Sequence, residues 1–238
     1  MRFLWSTGSH QGRVRDNNED SVYPTSAGKT EGPLLVAVAD GMGGHVGGEI
    51  ASAIAIEHAT VLAGEEATPQ ERVVAGNEAI MDAVLEDPHL AGMGTTMTLA
   101  LLEPLGRVTI GHVGDTRAYL LREDELRRLT DDHSVVEMYL AAGRITEDEA
   151  KRHPQRGMLT RALGLGRDLE VDVRRERLRA GDRFMLCSDG LSSMVDDDRI
   201  CELLIDGTPE EAVWTLIDAA NLAGGFDNVT LVVVDYLP

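Results

Sequence analysis

Short apolar runs of β type that begin or end on aspartate organise this chain. The clearest are Leu34-Leu35-Val36-Ala37-Val38-Ala39-Asp40-Gly41 and Arg183-Phe184-Met185-Leu186-Cys187-Ser188-Asp189-Gly190. A third aspartate, in Asp227-Asn228, opens the final run Val229 to Val234. A carboxylate at the mouth of a buried strand must be paired, hydrogen-bonded or bound to a cation, because a bare charge there is strongly disfavoured. In an antiparallel sheet the start of one strand lies beside the end of its neighbour, so Asp40, Asp189 and Asp227 are expected to converge on one rim. Three hard oxygen ligands suit Mg²⁺ or Mn²⁺. Singly, each has a plainer reading, since Asp-Gly is a common turn pair and Asp227 can cap a turn. Their joint pattern favours the metal.

The 238 residues suffice for one domain with a good core. No apolar run approaches the roughly 20 residues needed to span a bilayer, and Met1 to Ser6 lacks a signal-peptide core, so a cytoplasmic, membrane-free monomer is expected. A net charge of −19 disfavours nucleic acid, whose phosphates call for basic surface. Cys187 and Cys201 form neither a disulfide framework nor a zinc pair.

Helical spacing predicts helices over Glu49 to Leu62 and Glu71 to Leu85. Thr95 to Leu102, Arg107 to Val113 and Arg117 to Leu121 read as a three-strand antiparallel meander, turned by Pro104-Leu105-Gly106 and Gly114-Asp115-Thr116. Short helices at Ser134 to Ala142 and Thr146 to His153, then the irregular Pro154-Gln155-Arg156-Gly157, suggest a mobile flap over a site at about 130–157. Strands resume at Leu169 to Leu178 and Arg183 to Ser188, and helices follow at about Asp198 to Ile205 and Pro209 to Ala223. The expected fold is α/β (α+β): an antiparallel β-sandwich of two sheets with helices on both outer faces, in α-β-β-α layers.

Six short segments occur in one order: Gly12-Arg13-Val14-Arg15-Asp16-Asn17-Asn18-Glu19-Asp20, Asp40-Gly41-Met42-Gly43-Gly44-His45, Gly92-Met93-Gly94-Thr95-Thr96, Gly114-Asp115-Thr116-Arg117, Ser188-Asp189-Gly190-Leu191 and Asp227-Asn228-Val229-Thr230. In them the chain resembles the metal-dependent serine/threonine protein phosphatases of the protein phosphatase 2C type, in particular their bacterial stand-alone domains. The resemblance implies that Asp40 bridges two Mn²⁺ or Mg²⁺ ions, that the Gly41 carbonyl binds one of them, and that Asp189 and Asp227 complete the other. It implies that Glu19 and Asp20 act through metal-bound waters, and that Asp115 with Asp189 holds a third, weaker ion. Arg15 would grip the phosphate while water acidified by the ions attacks phosphorus. The substrates implied are phosphoserine and phosphothreonine proteins, and the partner a serine/threonine kinase whose work is reversed. Eukaryotic relatives carry His where this chain has Met42, and a thioether cannot donate a proton to the leaving alkoxide.

Competing readings stand beside these. Asp115 equally serves a simple hairpin, and Arg15 a solvated surface. His45 is read as a loop residue, His112 as a hydrogen-bonded core or cleft residue, and His133 and His153 as packing residues beside the flap. Asp196-Asp197-Asp198 places charge at a helix start. Neither cysteine has an Arg six residues on, as a cysteine phosphatase requires, and in Leu204-Ile205-Asp206-Gly207-Thr208 Leu204 replaces a nucleophilic Asp. A dinucleotide turn after Ala39 fails because Val46 stands where the third Gly belongs. A phosphoprotein-binding regulator without turnover is the non-enzymatic alternative.

Overall fold

Among the residues that the computed structural model describes, 1–43, 47–62, 64 and 66–238, the strands sort into two antiparallel sheets. The first contains β1 (Arg2–His10), β3 (Gly28–Thr30), β8 (Arg117–Arg122), β9 (Glu125–Arg128), β11 (Arg183–Cys187) and β12 (Val229–Leu237), in the order β3-β1-β12-β11-β8-β9. The second contains β2 (Asp20–Tyr23), β4 (Leu34–Met42), β6 (Met97–Leu102), β7 (Arg107–Val113) and β10 (Asp172–Arg177), in the order β10-β7-β6-β4-β2, with β5 (Gly94–Thr95) paired to the end of β4. Helices α1 (Gly47–Glu57) and α2 (Pro69–Glu86) cover the second sheet. Helices α6 (Asp197–Ile205) and α7 (Pro209–Leu222) cover the first. The α-β-β-α layering expected from the sequence is the one observed.

The helices start where local chemistry tells them to. Thr68, Thr146 and Thr208 each cap a helix by accepting from the backbone N–H of a Glu three residues on, and that Glu returns a bond to the threonine N–H. These reciprocal bonds satisfy donors that a helix start otherwise leaves bare. The short helices α3 (Val135–Ala141) and α4 (Glu147–Ala150) occupy the connection from β9 to β10. The expected helix over 49–62 is α-helical only to Glu57 and continues as a π-turn over His58–Leu62.

The expected meander is a correction. β6 and β7 pair, with Met97 opposite Val113, but β8 pairs with β9 and β11 in the other sheet. Gly114-Asp115-Thr116 is therefore a crossover between sheets, and the hairpin reading of Asp115 fails. Gly114 has φ +109° and lies so close to Thr96 that a Cβ would overlap it, which turns the chain out of the second sheet. Both strands carry buried residues on successive positions, Ile110 to Val113 in β7 and Ala118 to Leu121 in β8, so their patterns do not say which strand lies alongside. Strands β1, β2, β3 and β9 were also not anticipated.

Side-chain alternation explains why the central strands are apolar throughout, since both faces are covered. On β12, Val232 and Val234 point between the sheets while Leu231 and Val233 meet the helices. On β4, Val36 and Val38 point inward, and Ala37 and Ala39 pack with Ala51 and Ala55 of α1, small residues that let the helix approach closely.

The same alternation makes one end of the interior polar. Two residues along from an inward apolar residue, strand after strand supplies a polar one: Asp20 beyond Val22, Asp40 beyond Val38, Thr98 beyond Ala100 and His112 beyond Ile110 in one sheet. Thr116 beyond Ala118, Ser188 beyond Leu186 and Thr230 beyond Val232 do so in the other. Because neighbouring strands run antiparallel, all these positions fall at the same end of the sandwich. None of the described helices is long and apolar enough to cross a membrane.

Candidate metal centre

The polar end opens into a cleft of about 440 Å³. Arg15, Glu19, Asp40, Gly41, Asp115, Asp189 and Asp227 all line it, together with Met42, Thr96 and, from the connection that follows α4, Gly157 and Leu159. The expectation that Asp40, Asp189 and Asp227 share one sheet rim is corrected: Asp189 and Asp227 flank the paired ends of β11 and β12, whereas Asp40 comes from the opposite sheet. The carboxylates face one another across the sandwich mouth. His45 lies outside the described residues.

Each carboxylate is placed by its backbone. Asp40 sits opposite Asp20 on the β2–β4 pair. Its N–H donates to Thr96 Oγ1 at 3.1 Å, and its carbonyl accepts from the Thr96 N–H at 2.9 Å and from Thr95 Oγ1 at 2.8 Å. A Cβ on Gly41 would overlap the Gly48 carbonyl at the start of α1, so only glycine lets β4 and the helix meet here. Asp189 begins the short helix α5 (Asp189–Ser192) as β11 ends, and Gly190 presses against the Asn228 carbonyl, where a Cβ would again overlap. The Asp-Gly pairs are thus close approaches of backbone rather than mere turns.

Asn228 ties the 11–19 segment to β12. Its Nδ2 donates to the carbonyls of Gln11 and Asn17, each at 2.8 Å, and its Oδ1 accepts from the Glu19 N–H at 2.8 Å. Asp227 accepts from Arg15 Nη2 at 2.7 Å through Oδ2 and from the Asn228 N–H at 2.9 Å through Oδ1. That ion pair raises the Arg15 guanidinium above its ordinary pKa and holds a half-exposed side chain at the cleft wall. Asp20 lies behind the lining. Its Oδ2 accepts from Ser188 Oγ at 2.8 Å, while its buried Oδ1 has no hydrogen-bond partner.

Five lining carboxylates face one guanidinium. Burial, reinforced by mutual repulsion, pushes the Asp20 carboxyl up to about 7 and Asp189 up to about 6, and drives Asp40 and Asp115 well above the usual range. Asp40 and Asp189 are close enough that the charge on Asp189 helps to raise the Asp40 carboxyl.

These observations fit a divalent ion. The donors are hard oxygens, a buried carboxylate oxygen lacks a partner, and positive charge would reverse each of the unfavourable shifts. Among the described residues no three His, Cys, Asp or Glu side chains close around one point as a ready-made cage.

Sequence reasoning quoted Thr95, Thr96, Ser188 and Asn228 within its motifs but gave them no role. The signal available was the polar residue two places beyond an inward apolar one, together with an Asn able to donate and accept at once.

Comparison with known proteins gives a consistent result. The family model described as protein phosphatase 2C matches residues 7–211. The Mycobacterium tuberculosis serine/threonine protein phosphatase PstP is 44% identical over 237 residues, covering 97% of this chain and 44% of its own length. The chain therefore spans less than half of that relative. The Listeria innocua serine/threonine phosphatase stp is 37% identical, with 94% of this chain and 92% of its own length covered. A crystal structure of the M. tuberculosis PstP/Ppp phosphatase superposes with a TM-score of 0.90 at 41% identity over 100% of both chains. One of the PstP catalytic domain with two manganese ions gives 0.88 at 40% identity over 100% of both.

Proposed function

The chain belongs to the protein phosphatase 2C family, and from that premise we propose that it hydrolyses phosphoserine and phosphothreonine in proteins, with two Mn²⁺ or Mg²⁺ ions as cofactors. The observation that carries this reading is the gathering of Asp40, Asp189 and Asp227, from opposite sheets, around one cleft with Arg15 at its wall. Asp40, the Gly41 carbonyl, Asp189 and Asp227 would hold the ions, and Glu19 and Asp20 would act through water. Asp115 with Asp189 would hold a third, weaker ion. When bound, the ions supply charge neutralisation and acidify water for attack on phosphorus.

The protein's own groups do the rest. Arg15 has five N–H donors in a fixed fork, and Asp227 engages one nitrogen of that fork, so the guanidinium is aimed before substrate arrives. It binds non-bridging phosphate oxygens and stabilises charge that spreads over them. Asp20, held by Ser188, orients water at the back of the site. Met42 lines the cleft but its thioether donates no proton to the leaving oxygen. The segment 130–157, which brings Gly157 to the cleft, is read as a flap that admits substrate and limits bulk water. A serine/threonine kinase would supply the phosphoprotein. The regulator alternative is disfavoured because such a protein is expected to lack part of the ligand set, and every implied ligand is present.

The test is hydrolysis of a phosphothreonine peptide with Mn²⁺, with excess chelator, and by the Asp189→Asn variant. Turnover that requires both the metal and Asp189 supports the reading. Turnover that survives chelation contradicts it.

A further inference from the structure

The crossover that carries Asp115 is gripped on both flanks by buried histidines that do not line the cleft. His133 makes two bonds to Gly114: its backbone N–H donates to the Gly114 carbonyl at 2.7 Å, and its Nδ1 lies 3.0 Å from the Gly114 N–H. An amide N–H can only donate, so Nδ1 is the unprotonated nitrogen and the ring hydrogen sits on Nε2. Nε2 faces Asp172 Oδ2 at 3.2 Å, and Asp172 Oδ1 accepts from Arg161 at 2.7 Å. The neighbouring Thr160 N–H donates to the His133 carbonyl at 2.8 Å.

On the other flank, the His112 ring lies 4.6 Å from that of His133, centroid to centroid. Its Nδ1 bonds Thr98 Oγ1 at 2.8 Å, and that hydroxyl meets Thr116 Oγ1 at 2.7 Å. Burial pushes both imidazoles down, His112 to about 4, so both rings are neutral at physiological pH.

We propose that His133 is a positioning residue for Asp115: the chain Arg161–Asp172–His133 selects the ring tautomer that holds Gly114, and so couples the segment returning from the flap to the third-ion carboxylate. The proposal rests on the phosphatase reading for its effect on turnover, but the clamp itself exists without metal. Gly114 is thus held by a side chain whose hydrogen position is set by Asp172, 39 residues further along the chain.

Two amide variants separate positioning from simple packing. His133→Asn keeps an acceptor oxygen where Nδ1 stands, whereas His133→Gln moves the polar group to the Nε2 position and leaves the Gly114 N–H without a partner. Asn is one methylene smaller than Gln, so a loss of packing alone would harm His133→Asn more than His133→Gln, the reverse of the order expected here. In chelator, amide hydrogen exchange at Gly114 is expected to quicken about tenfold in His133→Gln and to stay within about threefold of wild type in His133→Asn, since one buried hydrogen bond is at stake. With Mn²⁺, His133→Gln should lower kcat about tenfold with KM changed less than about twofold, and His133→Asn should keep most of kcat.

Asp172 is half exposed and supplies a pair safe for folding: Asp172→Ala should also quicken Gly114 exchange, and Asp172→Asn, which retains an acceptor for Nε2–H, should restore it. Equal effects of Asn and Gln at position 133, unchanged Gly114 exchange in His133→Gln and Asp172→Ala, or faster exchange with unchanged kcat would each overturn the proposal. A wild-type protein without Mn²⁺-dependent turnover would instead overturn the phosphatase reading, and the metal-free exchange measurement would still decide whether His133 clamps the turn.

Discussion

The Ser188 hydroxyl, at the end of β11 in one sheet, donates a 2.8 Å hydrogen bond to Asp20 Oδ2 on β2 in the other. Ser188 is itself fixed by β12, accepting from the Thr230 N–H at 3.0 Å and donating its own N–H to the Thr230 carbonyl at 2.8 Å. One hydroxyl therefore joins the two sheets where the interior turns polar. It leaves the other oxygen of Asp20 free for a ligand.

Removing that hydroxyl leaves Asp20 with less support in a buried site. Ser188→Ala should cost about 1–3 kcal/mol of metal-free stability and weaken Mn²⁺ binding about tenfold or more. Urea unfolding in chelator and a Mn²⁺ titration of the same variant check the two effects.

The crowded carboxylates also set the pH dependence of the metal-free protein. Asp20 and Asp189 keep protons in the folded state up to about 7 and about 6, against an ordinary value of 3.8. Between these limits the folded state binds more protons than the unfolded chain, so stability falls as pH rises. Thermal unfolding in chelator should give a higher Tm near pH 5 than near pH 8. Saturating Mn²⁺ should reverse the trend, because the ion binds deprotonated carboxylates of the folded state.

Arg15 is paired with Asp227 at 2.7 Å yet half exposed at the cleft wall. Arg15→Ala should raise KM for a phosphopeptide about tenfold with a smaller fall in kcat, since phosphate binding is shared by ground and transition states. Steady-state kinetics at saturating Mn²⁺ provide the check, and an unchanged KM would remove Arg15 from the site.

Much of this site was legible because a strand that buries both faces and ends on Asp-Gly has few physical explanations. Asp40, Asp189 and Asp227 were read that way, and the cleft contains all three. Asp115 was half legible. Gly-Asp-Thr serves a hairpin or a crossover alike, and only the pairing of β8 with β11 separates them. Asn228 and Ser188 were overlooked as anchors because their partners lie far along the chain, at Gln11, Asn17, Glu19 and Asp20. The bond from His133 to Asp172 spans 39 residues and left no local pattern.

Gly190 tests the packing behind Asp189. Its neighbour is the Asn228 carbonyl, so Gly190→Ala must push α5 away from the start of β12. A loss on the order of 3 kcal/mol is expected, with a larger loss of Mn²⁺ affinity than of secondary structure. Circular dichroism melts set beside metal titration separate the two.

Calorimetric titration of the purified protein with Mn²⁺, beside Asp40→Asn, tests the central claim most directly. Binding of two tight ions by the wild type, lost when the carboxylate between the sheets becomes an amide, is the predicted result. Absence of Mn²⁺ binding by the wild type, or unchanged stoichiometry and affinity in Asp40→Asn, would contradict a metal centre at the polar end of the sandwich.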